Sequence, residues 1–440
     1  MIPIIYGTHA GREKILKQRG YAEKEYPQAL LEKLHKTFGE TLTPEQAVAR
    51  ILFDVRARGD DAVREWTRTF DRVELAHIRV TQDEIDAAYA ETPVAVRDAM
   101  ELAASRIRVF HEKHKPKSWI DWQAGSALGQ RIIPLARVGI YVPGGTAPLP
   151  SSLLMSAIPA LVASVREVAI ATPPKIAPAI LAAAKIAGVS RVYAMGGAQA
   201  IAALAFGTAS VARVDKIVGA GGLFTTLAKS QVFGAVGIDG LYGPTETMLI
   251  ADDSANPAWV ASDLLAQAEH DVLATAILIT TSQLFANQVA NEIEKQIAHL
   301  SRISIISQSL SSQGAIIVVE NLDEAMELAN AFAPEHLCLL IRDAWNWVGK
   351  VEHAGGIFVG EWTNEALGDY VIGPSHIMPT AGTARFSSPL NVNDFVKITS
   401  VFSVSAREAH DLGERAAILA ETEGLTAHAS AIRRRMIPNM

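Results

Sequence analysis

Residues 138–165, VGIYVPGGTAPLPSSLLMSAIPALVASV, carry no charged side chain across 28 positions. A membrane-spanning helix needs about 20 mainly apolar residues in unbroken helical form. Pro143, Pro148, Pro150 and Pro159, with the Gly144-Gly145 pair, would interrupt such a helix repeatedly. The run therefore predicts a strand, a loop and a short buried helix, not a span. The scarcity of charge continues: from Val138 to Ala212, 75 residues hold only Arg166, Glu167, Lys175, Lys185 and Arg191. Within and just beyond this stretch, GIYV (139–142), EVAIAT (167–172), RVYAM (191–195) and KIVGA (216–220) alternate with Ala-rich helical runs. Apolar strands without a period of two are buried on both faces, which predicts a parallel sheet covered by helices.

A second series follows the first. MLIA (248–251), AILIT (276–280), AIIVV (315–319), LCLLI (337–341) and GIFVG (356–360) are again separated by helical segments. No sequence repeat of fixed period links the two blocks, though they read as structural cousins. The predicted fold is α/β, with two Rossmann-like parallel-sheet domains and smaller helical N-terminal and C-terminal parts. The boundaries fall at 1–137 (helical, leading into the first α/β domain), 138–244 (Rossmann-like, nucleotide-binding), 245–390 (second Rossmann-like domain) and 391–440 (helical tail). In the first part, Thr43-Pro44-Glu45-Gln46 and Thr81-Gln82-Asp83-Glu84 both have the form of a capping box before a helix.

Composition removes several function classes. At 440 residues the chain needs no staples, and its one cysteine, Cys338, excludes internal disulfides and a Cys-rich zinc ribbon. Forty Lys and Arg against 47 Asp and Glu give a net charge of −7, without the basic face that nucleic-acid binding requires. The opening MIPIIYGTHAGREKILKQRG has no apolar run of the kind a secretory signal contains, so a cytoplasmic location is expected, with no membrane partner.

Ligands of open parallel sheets bind beyond the carboxyl ends of the strands. The candidate loops there are glycine-rich: Pro143-Gly144-Gly145, Gly196-Gly197-Ala198-Gln199 and Gly219-Ala220-Gly221-Gly222. Glycine lets backbone approach a phosphate, and a following helix start favours an anion, although tight βα turns use glycine for their own sake. Four polar clusters stand apart from the apolar pattern. Gln267 and His270 lie at i and i+3 near the end of a helix starting at Pro257, where they can point at one ion or simply cap it. Glu335-His336 directly precedes strand LCLLI, as an acid–base pair or a solvated turn. The segment 367–376, LGDYVIGPSH, sets Asp369 and His376 in a loop, and Glu423 and His428 lie near the C-terminus.

Taken together, GxYVPGG, GGAQAIAALA, VDKIVG, GPTE, LLAQAEHD, APEHL, GDYxxGPSHxxPT and LTAH resemble the histidinol dehydrogenase family, from the N-terminal helices through His428. The resemblance implies two successive NAD-linked oxidations, taking L-histidinol through L-histidinal to L-histidine. It implies zinc held by Gln267, His270, Asp369 and His428, which unites three of the clusters. It implies His336 as the base for the alcohol proton and Glu335 as the base that activates water on the aldehyde. Thr245, where the family usually has serine, and Glu423 match substrate contacts. His336 and the four metal ligands also face the substrate in the family pattern. Tyr141, Gln199 and Gly222 fall on dinucleotide-contact positions. The resemblance further implies a homodimer with shared active sites, the C-terminal segment of one subunit completing the other's site.

One departure stands out. The family usually reads Gly-Pro-Gly-Asn after the KIV strand, and Gly222 stands here in place of the asparagine. The missing amide predicts weaker NAD binding by one hydrogen bond, about 0.5–1.5 kcal/mol. It also leaves open a paralogue that oxidises another small polar alcohol at the same zinc site. A non-catalytic binding protein is disfavoured by the intact Glu335, His336 and metal-ligand set.

Overall fold

The computed structural model describes residues 2–17, 26–123, 125–144 and 148–436; Gly145, expected in the first glycine-rich loop, lies outside them. Both apolar blocks form the predicted parallel sheets. In the first, the strands lie in the spatial order Arg191–Ala194, Glu167–Thr172, Arg137–Tyr141, Lys216–Val218, Gly237–Ile238. In the second the order is Ala315–Val318, Thr275–Thr280, Glu246–Ala251, His336–Leu340, Gly356–Val359. Each block therefore runs third, second, first, fourth, fifth, and the order reverses between the first and fourth strands. The two blocks are cousins in topology.

Each sheet separates two apolar clusters, which explains why its strands lack alternation. Val138 and Ile140 face one core with the helices Gln82–Glu91, Val94–Glu112 and Pro150–Val162. Tyr141, Ala169 and Ala171 face the other with helices Pro44–Arg58 and Gly197–Phe206. In the second sheet, Leu249 and Ala251 face one side and Met248 and Ile250 the other. Both capping boxes are formed. The Gln46 N–H donates to Thr43 Oγ1 at 3.3 Å and the Glu84 N–H to Thr81 Oγ1 at 3.2 Å, each with the reciprocal bond. The uncharged run contains the 13-residue helix Pro150–Val162, which starts at a proline and contains Pro159. No described helix is long and apolar enough to cross a membrane.

The terminal parts are less purely helical than expected. Ile4–Tyr6 adds an edge strand to the second sheet, beside Ala315–Val318. Trp119–Gln123 and Ser126–Pro134 form an antiparallel sheet with Val396–Ser403, inside the segment expected to be a helical tail. Apart from Ser126–Pro134, these strands are short or largely exposed, so neither length nor alternating burial marks them in the sequence. Ile4–Tyr6 and Val396–Ser403 pair with strands hundreds of residues away, whereas Trp119–Gln123 pairs with its hairpin neighbour Ser126–Pro134.

Candidate active site

A cavity of about 140 Å³ lies between the two sheets. Tyr141, Pro143, Gly219 and Ala220 line it from the carboxyl ends of the first sheet's switch-point strands. Thr245 and Glu335 line it from the amino ends of the second sheet's switch-point strands. His376 closes a further side.

The acid–base pair is built where helix Leu322–Phe332 turns into strand His336–Leu340. Ala333 ends that helix in the left-handed region at φ 53°, and Pro334 prevents its continuation. Glu335 thereby enters the interior beside the start of the neighbouring strand. Its Oε2 accepts the Thr245 hydroxyl at 2.6 Å and the Glu246 N–H at 3.0 Å. Burial pushes its carboxyl up to about 7, against the opposing influence of His336 and those two donors.

His336 is also buried. Its Nδ1 lies 3.0 Å from the carbonyl of Glu246, an acceptor only, so Nδ1 carries a proton, and in the neutral ring Nε2 holds the lone pair. Nε2 has no hydrogen-bond partner and stands 3.9 Å from Asp369 Oδ1. Glu365 Oε1 approaches Nδ1 at 3.5 Å; burial and the charge of Asp369 raise this carboxyl well above the usual range.

Gln267 closes the array from helix Pro257–Ala268, which begins with Asn256 as N-cap and Pro257 in its first turn. Its Nε2 donates to Thr245 Oγ1 at 2.9 Å, while its buried Oε1 has no partner. Asp369 lies in a π-helical turn, Gly368–Ile372. A side chain at Gly368 would meet the Phe358 ring at 2.5 Å, so the turn packs only with glycine there. The His376 Nδ1–H donates to the Asp369 carbonyl at 2.8 Å, and its Nε2 faces Ser152 Oγ at 3.0 Å. Burial lowers the pKa of His376.

Thus Thr245, Gln267, Glu335, His336 and Asp369 come together. His270 lies just past the same helix, exposed, its backbone N–H bonded to the Gln267 carbonyl at 3.3 Å. Glu423 and His428 are exposed, at the end of helix Ala406–Thr422 and on helix Thr426–Arg433. Among the described residues of this single chain, no three His, Cys, Asp or Glu side chains are grouped as a metal site. At the positions expected to contact a dinucleotide, the buried Tyr141 hydroxyl accepts the Gly197 N–H at 3.1 Å, and the buried Gln199 Oε1 is unpartnered. Gly222 caps helix Leu223–Val232 with no side-chain bond, and a Cβ added there would enter open space. Sequence reasoning missed Glu365 and gave His376 no role. The only signal for Glu365 was its i, i+4 spacing from Asp369.

The sequence profile of the histidinol dehydrogenase family matches residues 36–436. This chain belongs to that family. The histidinol dehydrogenase of Deinococcus radiodurans is 49% identical over 424 residues, covering 95% of this chain and 97% of the relative. That of Dehalococcoides mccartyi is 51% identical over 398 residues, covering 89% and 91%. The crystal structure of histidinol dehydrogenase from Elizabethkingia anophelis superimposes with a TM-score of 0.90 at 34% identity, covering 99% of this chain and 98% of that one. The fold is therefore the histidinol dehydrogenase fold, and the chain is an oxidoreductase.

Proposed function

We propose that the chain oxidises L-histidinol through L-histidinal to L-histidine in the cytoplasm, with zinc and NAD. The observation that carries this reading is the buried array in which Gln267, Thr245 and Glu335 are joined and His336 keeps a free Nε2. Gln267 Oε1 is a buried acceptor lacking a partner, an atom that a cation satisfies, and it fits the donor set Gln267, His270, Asp369 and His428. In the same way the unpartnered Gln199 Oε1 and the glycine backbone at 219–222 fit a dinucleotide beside Tyr141. When bound, zinc would supply Lewis acidity and anchorage for the substrate, and two molecules of NAD in turn would each take one hydride.

The remaining chemistry falls to the side chains. With Nδ1–H engaged by the Glu246 carbonyl, His336 presents Nε2 to take the alcohol proton of the first oxidation. The second oxidation needs water to add to the aldehyde, and Glu335 takes that water's proton. Both of its hydrogen bonds fall on Oε2, which leaves Oε1 for the water. A carboxyl raised to about 7 is a stronger base than an ordinary glutamate and is still partly ionised at neutral pH.

The tail supports a shared site. Helices Ala406–Thr422 and Thr426–Arg433 bury only Gly413, Ala417, Ala420 and Ala429, while Leu419 is 66% and Phe402 79% exposed. So small a core with so much apolar surface suits a segment that docks on a second copy, carrying His428 and Glu423 to its site. The test is turnover of histidinol with NAD by the metal-loaded enzyme, read at the reduced-nicotinamide absorbance. We expect two reduced nicotinamides per histidinol, one zinc per chain, and loss of turnover in His270→Asn with the fold retained. Inactivity toward histidinol, or full activity after zinc removal, overturns the reading.

A further inference from the structure

Outside the acid–base array, the described interior holds one fully buried ion pair, Lys229 Nζ to Asp239 Oδ1 at 2.5 Å, both side chains 2% exposed. It lies beneath the glycine-rich loop 219–222 and grips one residue of it from both ends. The Gly219 N–H donates to Asp239 Oδ2 at 2.7 Å, and Lys229 Nζ donates to the Gly219 carbonyl at 2.7 Å. The remaining valences of the pair are also used. Asp239 accepts the Gly240 N–H at 2.8 Å and the Tyr242 hydroxyl at 3.1 Å, and Nζ stands 4.9 Å from the Tyr242 ring centre.

A buried ion pair seldom stabilises a fold more than well-packed apolar side chains would, so its presence here calls for a more specific reason. Gly219 supplies one. It sits at φ 109°, where any side chain would collide with the Tyr141 carbonyl, and it lines the cavity. Backbone in that region has no strong preference of its own for one conformation. Two charge-assisted bonds to the same residue define one. Asp239 also begins the connection 239–245 from the first sheet to the second. That connection ends at Thr245, the donor to Glu335.

We propose that Lys229 and Asp239 are positioning residues for the cofactor: the pair holds the Gly219 backbone, and with it loop 219–222, in the conformation that receives the dinucleotide. The proposal rests on the reading of that loop as the NAD site. It is tested in the zinc-loaded enzyme with Lys229→Met, Asp239→Asn and the double variant, which leaves no unpaired buried charge and so preserves a foldable form. Tyr242→Phe, which keeps the ion pair and removes one donor, gives a graded control. Three quantities are read: the NAD dissociation constant, the KM for histidinol, and hydrogen exchange of the 219–222 amides. The double variant should bind NAD at least ~10-fold more weakly while the KM for histidinol stays within about twofold, as loss of charged hydrogen bonds at one ligand only would give. Its 219–222 amides should exchange faster than those of the surrounding sheet, with Tyr242→Phe between it and the parent. Unchanged NAD affinity, unchanged exchange, or equal losses for NAD and histidinol would overturn the proposal. A parent enzyme that binds no NAD would instead overturn the assignment of the loop; the exchange measurement would still decide whether the pair holds it.

Discussion

Thr245 donates its hydroxyl to Glu335 Oε2 at 2.6 Å and accepts the side-chain amide of Gln267 at 2.9 Å. One hydroxyl thus ties the carboxylate proposed to act on water to the amide proposed to hold the metal, and a residue read only as a substrate contact becomes the junction of the array. Thr245→Ser keeps that junction. Thr245→Val keeps the volume and removes the donor, so the Glu335 carboxyl should titrate higher still. The pH–rate profile for histidinal oxidation should then move upward in Thr245→Val and stay in place in Thr245→Ser.

The adjacent bases should separate by step. His336→Asn should cripple oxidation of histidinol, whereas Glu335→Gln should harm oxidation of supplied histidinal more, because only that step needs an activated water. Losses of equal size in both steps for both variants would contradict the division of labour.

Glu335 should also leave a mark on stability. Its carboxyl is raised from 4.5 to about 7 in the folded chain, so the folded state holds the proton more tightly than the unfolded one. That contribution is fully present below pH 4.5 and is lost as pH rises through about 7. Relative to the parent, Glu335→Gln should therefore gain stability between these values, by about 3 kcal/mol at most. Denaturant unfolding of the metal-free protein at pH 4 and pH 8 measures the difference.

Gly222→Asn meets no steric objection. The backbone is at φ −68°, nothing lies within 4 Å of a new Cβ, and asparagine is a better N-cap than glycine by a few tenths of a kcal/mol. The variant should lower the KM for NAD and slightly raise the melting temperature. A gain in stability alone would mean that the asparagine's role has moved elsewhere in this chain.

His428 gives the decisive assembly experiment. His336→Asn and His428→Asn, each inactive alone, are unfolded together and refolded. If the tail is exchanged, half the dimers are mixed and half their sites intact, so about a quarter of the parent activity should return. If each chain completes its own site, the mixture stays dead although mixed dimers are present.

Both parallel sheets were legible because their strands are apolar on both faces; the predicted runs at 167–172 and 276–280 agree with Glu167–Thr172 and Thr275–Thr280 to within a residue. The glutamine, the aspartate and the acid–base pair were legible through motifs, and the fold brings those four together. Ile4–Tyr6 and Val396–Ser403 were not, since each becomes a strand only against a partner far away in the chain. Glu365, Lys229 and Asp239 were invisible for a related reason. A charged residue in a sequence reads as surface, and nothing local tells which few will be carried inside to meet one another. His428 and Glu423 are exposed on this chain, the arrangement that the proposed exchange of tails requires.

The head-to-toe meeting of the two sheets has an electrical consequence. At the carboxyl ends of the first sheet, helices Gly197–Phe206 and Leu223–Val232 begin, and helix beginnings carry partial positive charge. At the amino ends of the second sheet, helices Pro257–Ala268 and Leu322–Phe332 finish, beside Gln267 and just before Glu335, and helix endings carry partial negative charge. One wall of the cavity is thereby suited to a pyrophosphate and the other to a metal ion, a substrate ammonium or a protonated imidazole. The polarity of the backbone sorts anion from cation before any side chain takes part.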